Sequence, residues 1–108
     1  MLTNAMPGRE REFNEWYTNV HLREVLDIPG FVAARRFELS PAQMGGRGPQ
    51  RYLAIYEIEG DPAAALAALK AARRDLQMSD ALDPNGISLQ MFTAISERVT
   101  AGSKRPMG

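Results

Sequence analysis

Apolar and polar positions repeat with two different periods along this chain, and the longest helical pattern ends at a sharp stop. Residues 8–31 read GREREFNEWYTNVHLREVLDIPGF. A helix advances about 100° per residue, so Phe13, Trp16, Tyr17 and Val20 share one apolar sector. Glu10, Asn14 and His21 lie along its flank beside Tyr17. The acids Glu10, Glu12 and Glu15 crowd the first turns, where the helix dipole favours negative charge. Past Val20 the pattern loses phase, because a continuing helix would bring Glu24 into the apolar sector and send Leu22 and Leu26 to the far side. The spacing therefore predicts a bend or break near residues 21–23, with Leu22, Val25 and Leu26 packing as a separate turn. Ile28-Pro29-Gly30 then ends helical structure.

Ahead of the helix, residues 1–5 read as a short strand closed by Met6-Pro7-Gly8. Beyond it, residues 31–39 alternate loosely as a strand, with Phe31, Ala33, Arg35 and Phe37 on one face and Val32, Ala34, Arg36 and Glu38 on the other. Residues 40–50 (SPAQMGGRGPQ) form a Gly/Pro-rich connector, and no Gly-Lys-Ser/Thr follows its glycines to make a phosphate loop. Residues 51–59 give the clearest strand pattern, in which Tyr52, Ala54, Tyr56 and Ile58 alternate with Leu53, Ile55 and Glu57. Asp61 as N-cap and Pro62 at the first helical position open a second helix over residues 63–75, with Leu66, Leu69 and Ala72 on one stripe. Residues 76–86 are irregular, residues 87–99 read as a last strand, and residues 100–108 as a flexible tail.

The order is β-α-β-β-α-β, an α+β chain with a ferredoxin-like arrangement and one domain over residues 1–99. The strands carry apolar residues on both faces, whereas two helices cover only one face of the sheet. The uncovered face predicts a homodimer packed sheet to sheet.

Composition narrows the chemistry. Of 108 residues, 44% are hydrophobic, as in an ordinary globular domain. Thirteen basic residues balance thirteen acidic ones, so a nucleic-acid partner has no electrostatic support. The chain has no cysteine and one histidine, which excludes disulfides, thiolate metal sites and cysteine nucleophiles, and argues against a metal centre within one subunit. No apolar run approaches the roughly 18–20 residues that span a bilayer, and the N-terminus lacks a signal-peptide order. The expectation is a soluble cytoplasmic protein with no membrane partner.

Three runs carry a family resemblance: the helix signature E-F-N-x-W-Y-x-x-V-H-L, the P-G-F that leads into the second strand, and R-Y-L-A-x-Y-E. Over residues 3–99 the chain resembles the EthD-like branch of the dimeric α/β-barrel superfamily. Two differences stand out: Arg23 occupies a position where a proline is expected after His-Leu, and the first strand lacks its leading residues. The resemblance implies ferredoxin-like subunits whose sheets pair into a barrel, with clefts between sheet and helices. Its wider superfamily includes cofactor-free monooxygenases, lactone isomerases, polyketide cyclases and haem-degrading enzymes.

On that footing His21 is the candidate general acid/base, since its ordinary pKa lies near neutrality, with Tyr17 and Glu10 assisting. Phe13, Trp16, Tyr52, Tyr56 and Phe92 could line a pocket for a flat hydrophobic ligand, although such stripes more often form core. Arg36 could pair with a substrate carboxylate or sit in a salt bridge. The expected activity is a cofactor-free, metal-free acid/base enzyme, of isomerase, cyclase or monooxygenase type, on an aromatic or polyketide-like small molecule. The alternative is a non-catalytic ligand-binding or accessory subunit, because no nucleophile or cofactor motif is present. Haem binding through His21 rests on a single histidine, and His21 as a cap on a helix end is the structural alternative.

Overall fold

The computed structural model describes residues 1–102. Its sheet has three antiparallel strands in the order β1-β3-β2: β1 is Leu2–Thr3, β2 is Phe31–Glu38 and β3 is Tyr52–Ile58. Three helices accompany it, α1 at Glu10–Trp16, α2 at Leu22–Leu26 and α3 at Pro62–Ala72. This is an α+β chain with its helices on one face of an antiparallel sheet. Among the described residues no helix is long and apolar enough to cross a membrane.

The expected break near residues 21–23 does not occur. Tyr17–His21 forms a π-helical turn that joins α1 to α2, and the Leu22 N–H reaches back to the Tyr17 carbonyl. The buried positions explain it: Phe13, Tyr17, His21 and Val25 repeat every four residues. An ordinary helix would carry such a stripe about 40° off line at each step. One widened turn absorbs the drift and keeps the stripe on the sheet. Arg23, which stands where a proline would interrupt the helix, accepts a bond from the Asp27 N–H at 3.2 Å.

The two long strands, β2 and β3, pair Phe31 with Ile58, Ala34 with Tyr56, Arg36 with Ala54 and Glu38 with Tyr52. A bulge between Phe31 and Ala33 leaves Val32 unpaired. The faces hold as expected from Ala33 onward, and that extra residue changes only the start of the strand, bringing Phe31 onto the same side as Ala34 and Arg36, toward the helices. There Tyr52 and Ala54 pack with Phe13 and Tyr17, while Phe31 packs with Val25, Ile28 and Ala65. The α3 stripe is likewise Ala65, Ala68, Leu69 and Ala72 in place of one built on Leu66. Asp61 caps α3 as expected, accepting from the Ala63 N–H at 3.1 Å. Gly30 makes the close approach of α3 possible: its φ is +96°, and a Cβ there would stand 3.1 Å from that of Ala65.

The expected last strand over residues 87–99 is absent. Ser88 alone bridges to Leu2, through bonds of 2.8 and 2.9 Å. Phe92 and Ile95 are accordingly 88% and 97% exposed. Residues 76–86 are better anchored than an irregular segment suggests. Met6 N–H bonds the Ala81 carbonyl at 2.7 Å, Asp83 N–H bonds Asn4 at 2.9 Å, and Ala81 and Leu82 join the core. The expected tail reaches residues 103–108, which lie outside the described residues.

Gly30→Ala should lower stability by about 1–3 kcal/mol, combining a left-handed backbone with the contact on Ala65. Urea unfolding checks this, and an unchanged midpoint would contradict the packing of α3 on Gly30.

Candidate functional site

The π-turn and the two long strands converge on a cluster of rings around one guanidinium. Phe13 lies 5.1 Å from Tyr52 and 5.6 Å from Tyr17, centroid to centroid. The Trp16 ring stacks on His21 at 4.8 Å, and Tyr17 meets His21 edge-on at 4.9 Å. From β3, the Tyr56 hydroxyl donates to the Tyr17 hydroxyl at 3.0 Å, and Tyr17 in turn donates to the Met1 sulfur at 3.5 Å. A thioether is a weak acceptor, so this chain of phenols ends on a poorly satisfied donor.

Arg36 reaches up from β2 beneath the helix. Its guanidinium sits 4.5 Å from the Tyr17 ring centre, 5.4 Å from Phe13 and 5.6 Å from Tyr52. It donates to the Thr18 hydroxyl at 2.9 Å, to the Asn14 side-chain oxygen at 2.8 Å and to the Asn14 carbonyl at 3.4 Å. These partners are all neutral. Asn14 and Thr18 stand one turn apart on the helix flank, so the same face that buries Tyr17 turns two acceptors toward Arg36. An open cavity of about 210 Å³ adjoins this arrangement, lined by Asn14, Arg36, Phe37, Glu38 and Tyr52.

Burial decides the protonation states. It raises the pKa of Tyr17, against the weaker opposing effects of the Tyr56 hydrogen bond and Arg36. Burial and the neighbouring Tyr17 raise that of Tyr56 further. Both phenols stay protonated and act as donors. Burial lowers the pKa of His21, with Glu24 opposing and Arg36 adding to the effect, so the imidazole is neutral at pH 7. Its Nδ1 is buried and has no hydrogen-bond partner among the described residues. Burial also lowers the pKa of Arg36, yet a guanidinium keeps its charge throughout the physiological range.

Of the expected trio, the structure brings Tyr17 and His21 together and leaves Glu10 apart. Eleven residues separate Glu10 from His21, about 16 Å along a helix axis. The Glu10 carboxylate accepts from the Gly8 N–H at 3.3 Å, at the helix start. His21 itself lies in the buried stripe in place of the expected flank, because the widened turn rotates it inward. Phe13 is fully buried core, and the Trp16 indole is tied to the Gln77 carbonyl at 2.7 Å. Tyr52 lines the cavity and Tyr56 supports Tyr17, whereas Phe92 lies on the extended segment, away from the cluster. Sequence reasoning did not assign Thr18, Met1 or Phe37 to the site. The i, i+4 pair of Asn14 and Thr18 beside a paired-strand arginine was the available signal for Thr18. No three His, Asp or Glu side chains gather as a metal-holding group among the described residues.

The lowered pKa of His21 carries a sign. Its folded value lies below the unfolded reference near 6.5, so the unfolded chain binds the extra proton first as pH falls. The His21 contribution is complete above pH 6.5 and is lost as pH drops toward the folded pKa, with a slope of at most about 1.4 kcal/mol per pH unit. Urea unfolding between pH 7.5 and 5 should show this decline, and His21→Gln should flatten it.

Comparison of the chain with protein-family models, with curated proteins and with solved structures finds no match in any of the three.

Proposed function

We propose that this chain is a subunit of a homodimeric, EthD-like α/β-barrel enzyme. It acts by acid/base chemistry, without an organic cofactor, on a hydrophobic aromatic or polyketide-like molecule. The observation that carries the proposal is the Tyr56–Tyr17 hydroxyl pair, which ends on a weak sulfur acceptor and lies against a neutral histidine with an unpartnered Nδ1. In an enolisation, His21 takes a proton from the carbon next to a carbonyl. The electron pair moves to the carbonyl oxygen, where the Tyr17 O–H replaces its bond to sulfur with one to the oxyanion. Arg36, 4.5 Å from the Tyr17 ring, adds positive potential at the same place. Returning the proton to the far carbon of a conjugated enolate completes an isomerisation; attack of the enolate carbon on a second carbonyl of the same molecule, whose oxygen then takes the proton from His21, completes a cyclisation.

The ferredoxin-like assignment draws support from strand order, since the Ser88 bridge lies outside β1 and extends the sequence of pairings to 88-β1-β3-β2. The homodimer draws support from the sheet face away from the helices, where Leu2, Phe37 and Ile55 are exposed. Arg35 and Glu57 stand on the same face, a pairing of charges that a twofold axis can match with itself.

A second reading, that of a non-catalytic ligand-binding or accessory subunit, is favoured by one observation: the cavity beside Arg36 is not lined by His21. Deuterium exchange at the α-carbon of 2-tetralone, followed by NMR in D₂O, separates the two. The enzyme reading expects accelerated exchange that falls about 10²-fold or more in His21→Gln and Tyr17→Phe. No acceleration by the intact protein would leave the binding reading. For the dimer, light scattering should give twice the chain mass, and Ile55→Glu should give monomers.

A further inference from the structure

Arg36 is a half-buried cation with which no carboxylate pairs directly among the described residues, Glu38 acting on it only through space. Among the described residues it forms no ion pair, its hydrogen bonds run to Asn14 and Thr18, and its Nε–H has no acceptor. The carboxylate nearest in character is Glu38, which lines the same cavity. That group is already engaged by Arg51, at 2.9 Å to Nε and 2.7 Å to Nη2. Taking a cation out of water without an opposite charge is unfavourable, and three aromatic faces offset only part of that loss. Tyr52 adds a second open donor. Its oxygen accepts from the Asn14 amide at 3.3 Å, while its own O–H meets no acceptor among the described residues.

We propose that the cavity bounded by Asn14, Arg36, Phe37 and Tyr52 binds the carboxylate of a small aromatic or conjugated acid. This names the ligand class for the cavity that adjoins the Tyr17 cluster through Arg36, and as a substrate class it rests on the function proposed above. A guanidinium matches a carboxylate with two parallel N–H donors, which a point charge such as lysine does not reproduce. Asn14 and Thr18 hold the fork in place from the helix side, so binding needs little reordering of the arginine. Tyr52, whose ring lines the cavity, donates a further hydrogen bond and lies within reach of a flat body. Arg36 is the one cation lining the cavity and Glu38 stands on its wall, so the cavity suits a monoanion better than a dianion.

The test compares benzoate with its uncharged isostere benzamide on the full chain, following the Asn14 side-chain amide and Tyr52 ring signals by NMR titration. Benzoate should shift both saturably and bind at least tenfold more tightly than benzamide. Arg36→Gln should bring benzoate down to the benzamide level, and Arg36→Lys, which keeps the charge but loses the fork, should fall between. If Arg36→Gln fails to fold, the lysine variant still reads the fork. Arg23→Gln, at an exposed arginine away from the cavity, should leave both affinities unchanged. Equal binding of the two ligands by the intact protein would overturn the carboxylate site while leaving an aromatic-ligand role standing. Benzoate affinity indifferent to both Arg36 variants would also overturn it, and failure of both ligands to bind would remove the aromatic-ligand reading with it.

Discussion

Burying a stripe that repeats every four residues is the constraint on which the rest of this structure depends. Phe13, Tyr17, His21 and Val25 all face the sheet, and a regular helix cannot hold that spacing in line. The chain resolves the mismatch with a π-helical turn at Tyr17–His21. That turn brings the only histidine inward, sets Tyr17 over Arg36 and lets α2 deliver Val25 to the second half of the core. π-turns of this kind are often associated with functional sites, because they redirect side chains that a regular helix would leave on its flank.

Around that turn, solvation governs chemistry more than charge does. Desolvation keeps both phenols protonated and the imidazole neutral, so the cluster offers donors and a base without a net charge of its own. The exception is Arg36, whose permanent charge is spread over neutral oxygens and ring faces. A second carboxylate facing it would have formed a closed structural pair. Glu38 turns to Arg51 instead, and this leaves the guanidinium available to a ligand.

The sheet itself is asymmetric in what it covers. Its helical face is filled by rings and small residues, with Gly30 and Ala65 in close contact where α3 lies down. The opposite face keeps Val32, Phe37 and Ile55 in solvent, together with an extended segment bearing Phe92 and Ile95.

Local chemistry made much of this fold legible in the sequence. The acid-rich helix start, the Pro29-Gly30 stop, the Asp61-Pro62 cap and the alternation of Tyr52, Ala54, Tyr56 and Ile58 each depend on neighbours within a few residues, and each stands where the pattern puts it. The pairing of Tyr17 with His21 was legible for the same reason, as one helical turn separates them. What tertiary structure alone decided depends on partners far along the chain. The Val32 bulge is a matter of register against β3 and turns Phe31 inward. The π-turn answers to the sheet beneath it and moves His21 off the flank. Residues 89–99 have strand-like alternation, yet a strand depends on pairing with a distant backbone, and only Ser88, just before this segment, bridges to Leu2. Arg36 is the clearest case: its residue type was plain in the sequence, but only packing could surround it with neutral hydrogen-bond partners and leave it outside any ion pair among the described residues.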